Sequence, residues 1–341
     1  MVVTGGCGFI GSAVVRRLVE HTAHSVVNVD SMTYASSVAS VASVQDSDRY
    51  VFERGDVCDR AFVQTVFETH RPDAVMHLAA ESHVDRSIDL PEAFGRTNVL
   101  GTMQLLEAAR KAGVTRFHHV GTDEVFGSLD RGSSAFSEDS PYDPRSPYAA
   151  TKASADHLVR AWGHTYGLPI VISSCSNNYG PFQFPEKLVP LAIIRAIRGE
   201  PIPVYGAGEN IRDWLHVEDH AAALVAVLES GRDGQTYNIG ASCERTTLHV
   251  VHSICDLVDE MRGSETSIAG TRELVTHVAD RPGHDVRYAI DPTKIRAELR
   301  LRPDYSFEDG LAQTVRWYVD NAPWWQPLVA QGATKRQGNQ R

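Results

Sequence analysis

The sequence predicts an α/β protein built on a doubly wound parallel sheet, and three observations carry that prediction. The first is a glycine-rich turn, Thr4-Gly5-Gly6-Cys7-Gly8-Phe9-Ile10-Gly11. It sits between the apolar run Met1-Val2-Val3 and a segment, 12–20, with apolar residues at helical spacing. The second is the alternation of short β-branched runs with helical segments as far as residue 175. The third is an acid, Asp30, closing the next apolar run Val26-Val27-Asn28-Val29.

Strand, tight turn and helix in immediate succession form a phosphate-binding unit. Gly5, Gly8 and Gly11 let the backbone turn sharply, approach a pyrophosphate and pack the helix on the strand. The phosphates then meet free N–H groups and the positive end of the helix dipole. Asp30 lies at about the 20-residue distance at which an acid holds a ribose hydroxyl. No Arg directly follows it, which favours NAD over NADP.

Further along, 49–53 reads as a third strand ending near Asp56, and Phe62, Val63, Val66 and Phe67 form a helical face. Residues 73–78 make a fourth strand with Ala79-Ala80-Glu81-Ser82-His83 at its carboxyl end, where open α/β sheets bind ligands. A helix through Leu100, Met103, Leu105, Leu106 and Ala109 leads to a fifth strand, 116–120, which ends at Gly121-Thr122-Asp123-Glu124. The Ser-, Asp- and Pro-rich stretch 128–147 is a loop long enough to be functional. Ser146-Pro147-Tyr148 then reads as N-cap, Pro at the first helical position, and helix.

After Ile170-Val171-Ile172 the alternation loosens into turn-rich pieces at 177–181, 201–208 and 280–284, separated by helices around 187–198, 218–230 and 247–261. The expected organisation is a Rossmann-type NAD-binding domain over 1–175, with segments of about 214–240 returning to it. A smaller, partly discontinuous substrate-binding region covers mainly 176–325, and a disordered tail 326–341.

Bulk properties bound the function. In 341 residues, 42% are hydrophobic and 22% charged, the balance of a folded globular chain. Five cysteines without a C-x-x-C spacing argue against a disulfide framework or zinc knuckle and for a reducing compartment. A net charge of −10 disfavours nucleic acid and anionic lipid as partners. No apolar run approaches the roughly 20 residues of a membrane span. A binding turn so near the start leaves no room for a signal peptide, so a cytoplasmic location is expected.

Tyr148 and Lys152, at i and i+4 near the start of a helix, share one face. A phenol titrating near ~10 is a poor base at neutral pH unless an ammonium stabilises its phenolate. Beside a nicotinamide such a pair can take the proton from an alcohol as hydride leaves carbon. Asp123 and Glu124 are adjacent carboxyls at the ligand-binding end of a sheet. Crowding of like charges would leave one protonated and one ionised. Arg212, after a Gly-rich turn, and Arg281 are candidates for a diphosphate. His77, His83, His118 and His119 lack an accompanying carboxylate set and read as core or surface residues, with no metal expected. Trp317, Trp324 and Trp325 read as a docking helix and anchor without the basic stripe of a nucleic-acid platform.

The glycine turn together with Tyr148-x-x-x-Lys152 resembles the extended short-chain dehydrogenase/reductase family, which acts on nucleotide sugars. Longer strings narrow the resemblance to its 4,6-dehydratases: 77–86 (HLAAESHVDR), 122–127 (TDEVFG), 176–181 (SNNYGP) with 184–188 (FPEKL), and 279–285 (ADRPGHD). It runs from residue 1 to about 325. The resemblance implies dTDP-glucose as substrate, oxidation at C4, removal of the C5 proton and the C6 hydroxyl, and return of hydride to C6. It assigns Tyr148 with Lys152 to oxidation, Thr122 to the sugar near its C4 oxygen, Asp123 as acid and Glu124 as base.

By the same resemblance NAD is bound by Gly5, Gly8, Phe9, Ile10, Gly11, Asp30, Ser31, Met32, Thr33, Asp56, Val57, Leu78, Ala79, Ala80, Ser82, Thr97, Tyr148, Lys152 and Asn178. The nucleotide sugar is bound by Ser82, Thr122, Asn177, Lys187, Leu188, Pro203, Tyr205, Arg212, Thr247, Arg281 and His284. A homodimer joined through Rossmann-domain helices is implied as well. The chain departs from the family pattern at Gly121 (usually Ser), Phe126 (usually Tyr), Ser36-Ser37 (usually Gly-Asn) and Thr247 (expected Asn). The rivals are a nucleotide-sugar 4-epimerase or UDP-sugar dehydratase, and a non-catalytic NAD-binding scaffold. An epimerase has no use for Asp123 and Glu124, and a scaffold none for Tyr148 and Lys152.

Overall fold

Burial in the computed structural model follows from the valine-rich runs. It describes residues 1–262, 270–280 and 284–332. Strand β1 (Val2–Thr4) and β2 (Val26–Asp30) are buried along their whole length, as strands covered on both faces must be. With β3 (Tyr50–Arg54), β4 (Ala74–His77), β5 (Arg116–Thr122), β6 (Ile170–Cys175) and, from much later in the chain, β10 (Thr236–Ile239), they form one seven-stranded sheet. Its order is β3-β2-β1-β4-β5-β6-β10, and every pairing is parallel. The order reverses beside β1, which puts the ligand crevice at the carboxyl ends of β1 and β4.

Helices cover both faces. Phe9–His21 and Val217–Ser230 pack Val14, Leu18, Leu224 and Val227 against one side. Arg60–His70, Thr102–Ala112 and Pro147–Tyr166 pack Val66, Leu105, Leu106 and Val159 against the other. The helix Pro147–Tyr166 begins as the sequence predicts: Ser146 Oγ accepts from Ala149 N at 3.0 Å, Pro147 stands at the first turn, and Gly167 at φ 68° ends it. Its N-cap fixes where Tyr148 starts.

A second core lies beyond the sheet. Helices Leu188–Arg198, Thr247–Arg262 and Phe307–Asp320 enclose Ile193, Ile254, Val315 and Tyr318. Two small sheets edge it: β7 (Asn177–Tyr179), β9 (Ile211–His216) and β11 (Glu244–Thr246) in one, β8 (Ile202–Tyr205) and β12 (Val275–Val278) in the other. The loop 128–147 is fastened to the segment after them by Leu129 N to Arg287 O at 3.0 Å and Phe136 N to Ala289 O at 2.9 Å.

Two differences from the sequence expectation stand out. The tail expected to be disordered from 326 is helical to Ala330, in the helix Ala322–Ala330, because Trp325 is buried and its indole donates to Tyr318 O at 2.7 Å; residues 333–341 lie outside those described. The helix expected through Leu100 begins as a π-helix, Gly95–Gly101, which periodicity alone does not reveal. Its widened turn carries buried Asn98, which grips Glu81 by both backbone groups, at 2.9 Å and 3.0 Å. Replacing the cap, Ser146→Ala, is expected to cost about 1 kcal/mol of stability, read as a lower urea midpoint with an unchanged slope.

Candidate active site

At the glycine turn, Gly5 adopts φ +72° and donates to Val29 O at 2.8 Å. A Cβ on Gly5 would fall 2.8 Å from the Ala79 backbone, and one on Gly11 would fall 2.1 Å from Gly5 O. Both positions therefore need glycine, and the close approach leaves a cradle of bare backbone. Gly8 caps the helix with no side-chain acceptor, so its first N–H groups are left for a ligand. Asp30, 5% exposed, is aimed by three donors. Its Oδ2 accepts from Cys7 N at 3.0 Å, and its Oδ1 from Met32 N at 2.8 Å and Ser36 Oγ at 2.9 Å. Ser36, a departure from the family pattern, thus helps to orient the acid.

These groups open on one long cleft. Of the predicted cofactor contacts, every one except Met32 lines it: the glycine turn, Asp30, Ser31 and Thr33, Asp56 and Val57, Leu78 to Ala80, Ser82, Thr97, Tyr148, Lys152 and Asn178. Met32 is not among the wall residues, because its left-handed backbone, φ 56°, leaves the side chain packed on the apolar core. The cradle, the bare helix end and the oriented acid fit a dinucleotide.

The residues expected to carry the chemistry line this same cleft. Tyr148 is 8% and Lys152 5% exposed, and the ammonium donates to Val120 O at 2.8 Å. Burial, then the Glu124 charge, pushes the Tyr148 phenol well above its ordinary range, while a hydrogen bond from Thr122 works the other way. Strand β5 delivers Thr122, and the short 3-10 turn Asp123–Phe126 follows; Thr122 Oγ1 caps that turn from Glu124 N at 3.3 Å. Phe126 stacks on Phe136 at 5.2 Å beneath it, so the missing hydroxyl leaves an apolar support.

Asp123 is 2% exposed, and its Oδ2 has no hydrogen-bond partner. Burial, then the charges of Glu124 and Asp213, drive its pKa well above the carboxylate range, with Arg212 opposing. Of the pair, Asp123 is the one whose surroundings favour holding a proton. Glu124 faces both this cleft and a second one.

The second cleft gathers the predicted sugar-nucleotide residues Ser82, Asn177, Lys187, Leu188, Pro203, Tyr205, Arg212, Thr247 and His284. Thr122 lines the cofactor cleft instead, and Arg281 lies outside the described residues. Lys187 Nζ donates to Ser82 O at 3.1 Å and Tyr205 to Asp85 Oδ2 at 2.9 Å, ties that join the two regions. Arg212 stacks 4.2 Å from the Tyr288 ring centroid and donates to Asp285 O at 3.1 Å. Tyr288, Asp85, Glu186 and Asn210 also line this cleft and were not anticipated. Glu186 lies inside a string already singled out, and Tyr288 three residues beyond another. Of the histidines considered, His77 bonds Thr4 and Thr102, His118 bonds Ser173, and no cluster able to hold a metal occurs among the described residues.

A dinucleotide crevice with a Tyr-Lys helix along its floor is the layout of a short-chain dehydrogenase/reductase. More narrowly, the chain belongs to the family described as GDP-mannose 4,6 dehydratase, whose pattern matches residues 2–314. It is 54% identical over 339 residues to a dTDP-glucose 4,6-dehydratase of Neisseria meningitidis, covering 96% of each chain. With dTDP-glucose 4,6-dehydratase 1 of Escherichia coli K12 it shares 54% identity over 341 residues, covering 95% of this chain and 94% of that one. Among solved structures, DesIV of Streptomyces venezuelae, a dTDP-glucose 4,6-dehydratase crystallised with NAD and dTDP, superposes with a TM-score of 0.89. Identity there is 45%, over 96% of this chain and 99% of that one.

The raised pKa of Asp123 has a consequence for stability. The folded value lies above the unfolded ~3.9, so the folded state holds a proton that the unfolded state releases. Stability is greatest below the unfolded value and falls as pH rises toward the folded one. Asp123→Asn, which has no proton to lose, is expected to be more stable than the wild type at pH 7–8 and equal to it near pH 4, on the scale of urea midpoints taken across that range.

Proposed function

We propose that this protein converts dTDP-glucose into dTDP-4-dehydro-6-deoxyglucose and water. The observation that carries the reading is the buried Asp123 carboxyl, its Oδ2 without a hydrogen-bond partner, beside Glu124 at the end of β5, in the same cleft as Tyr148 and Lys152. The likeness to three dTDP-glucose 4,6-dehydratases supports it. An enzyme that only oxidised or epimerised C4 would have no use for that acid.

The glycine turn, Asp30, Tyr148 and Lys152 would hold NAD, which would supply a hydride acceptor and donor for C4 and C6. Tyr148 takes the proton of the C4 hydroxyl as its phenolate, a form that burial and the Glu124 charge oppose and that the Thr122 hydrogen bond supports, with the Lys152 ammonium one helical turn away and Thr122 bonding near the same sugar oxygen. The new C4 carbonyl makes the C5 proton acidic. Glu124, ionised, removes it. Asp123, protonated, gives its proton to the departing C6 hydroxyl, which leaves as water. As hydride arrives at C6, Glu124 returns its proton to C5, and the proton that Tyr148 took from the C4 hydroxyl passes by way of solvent to Asp123, so that Tyr148 and both carboxyls regain their starting states.

The remaining assignments follow this division of labour. Residues 1–175, with about 214–240, carry the cofactor, and 176–325 mainly carry the nucleotide sugar. Lys187, Arg212, Arg281 and His284 serve the diphosphate end, and Leu188 with Pro203 to Tyr205 the base. The protein works as a homodimer in the cytoplasm; among the described residues no helix is long and apolar enough to cross a membrane.

Two measurements test the reaction. With dTDP-glucose deuterated at C4 and no added cofactor, the label is expected at C6 of a keto product; label remaining at C4 of a galactose epimer would mean an epimerase, and unchanged sugar a scaffold. Glu124→Gln is expected to develop the 340 nm absorbance of reduced cofactor on mixing with sugar and then to stall, with turnover down at least ~100-fold. Wild-type turnover in that variant would remove Glu124 from the base role.

A further inference from the structure

The chemistry above makes no use of Asp156, although this carboxylate is 0% exposed. It stands one helical turn beyond Lys152 on Pro147–Tyr166, so the two side chains share a face. Burying a carboxylate is costly unless it is paired and hydrogen-bonded. Here separate elements converge on it: the Tyr142 hydroxyl, from the loop 128–147, donates to Oδ2 at 2.8 Å, and His119 Nε2, from β5, approaches Oδ1 to 3.2 Å without the alignment of a hydrogen bond. Tyr142 is itself held by Arg160, whose guanidinium donates to its oxygen at 2.9 Å. Gly121 makes the close packing possible, since a Cβ there would stand 3.3 Å from Asp156 Oδ1 and 2.9 Å from Ser173 O.

The charges around Lys152 show what this arrangement accomplishes. Its ammonium is enclosed, and burial works against its charge; the acidic groups acting in its favour are Asp156 and Cys175. The Cys175 thiol, pushed up to about 12 by burial, is neutral at physiological pH. His119, pulled down to about 4 by burial and by Lys152, is neutral as well and leaves the Asp156 charge uncancelled. Asp156 stays ionised despite its burial, through His119, Lys152 and Tyr142. The Asp156 carboxylate thus lies one helical turn along from Lys152, beyond ion-pair contact, in a dry interior where charges act across such a gap.

We propose that Asp156 is the positioning residue that keeps Lys152 a charged ammonium next to Tyr148, held to that task by His119 and Tyr142. The proposal rests on the assignment of Tyr148 and Lys152 to C4 oxidation. The side chain touches neither sugar nor cofactor in this role; it acts through Lys152.

The test is a double-mutant cycle of Asp156→Asn and Lys152→Met, scored on kcat, KM and the C4 deuterium isotope effect with dTDP-glucose. Asp156→Asn is expected to lower kcat about tenfold or more with KM within about twofold, and to raise the isotope effect because oxidation has become slower. In the Lys152→Met background the same change should alter kcat by less than about twofold, since the interaction it disrupts is already gone. Tyr142→Phe, which removes a donor but keeps the carboxylate, serves if Asp156→Asn does not fold; it is expected to lower kcat about two- to fivefold in the wild type and not in Lys152→Met. Equal losses in both backgrounds, or Asp156→Asn turning over at the wild-type rate, would overturn the proposal. A Lys152→Met enzyme at the wild-type rate would overturn the oxidation assignment beneath it, and the proposal with it.

Discussion

Two carboxyls on adjacent residues, one of them buried, disfavour each other's charge, and much of the site is arranged around that constraint. Burial, then Glu124 and Asp213, push the Asp123 carboxyl toward its neutral form, while Arg212 limits the effect from the other side. Asp213 is kept from adding a floating charge by donors from Ala241 N at 3.1 Å and Cys243 N at 2.6 Å. The two carboxyls thus stand at consecutive positions, an aspartate and a glutamate, and their surroundings set them further apart. A strand end is suited to this, because the backbone leaves the sheet there and successive side chains find different surroundings.

The scaffold supplies the rest by bringing distant segments to the carboxyl ends of β1, β4, β5 and β6. The glycine turn follows β1, the Leu78–Ser82 turn follows β4, the acid pair follows β5, and Cys175 to Asn178 follow β6. The helix that carries Tyr148 and Lys152 packs against β5 and β6, so the pair is fixed relative to the acids by buried apolar contacts.

Much of this was legible in the sequence because local signals coincide with long-range function. The glycine spacing is readable since Gly5 and Gly11 answer to backbone collisions that no other residue relieves. Ser146-Pro147 announces a helix start through capping chemistry that acts within four residues. Other features depend on the folded chain. Met32 turns away because of its backbone conformation, and the π-helix at Gly95 arises where Asn98 meets Glu81. Tyr288 becomes a wall residue only when the segment after β12 folds back over Arg212. The final helix persists because Trp325 finds Tyr318, in keeping with the reading of Trp317, Trp324 and Trp325 as a docking helix and anchor, but how far the helix runs past Trp325 depends on the folded chain.

Ser82, Glu124, Asn177, Glu186 and Lys187 belong to the walls of both clefts. Such a seam makes the two compartments partners in one thermodynamic linkage: whatever fills one changes the groups that the other presents, and the effect runs equally in both directions. Affinity measured for either occupant is in that sense a property of the filled pair, and a substitution along the seam will move both constants together.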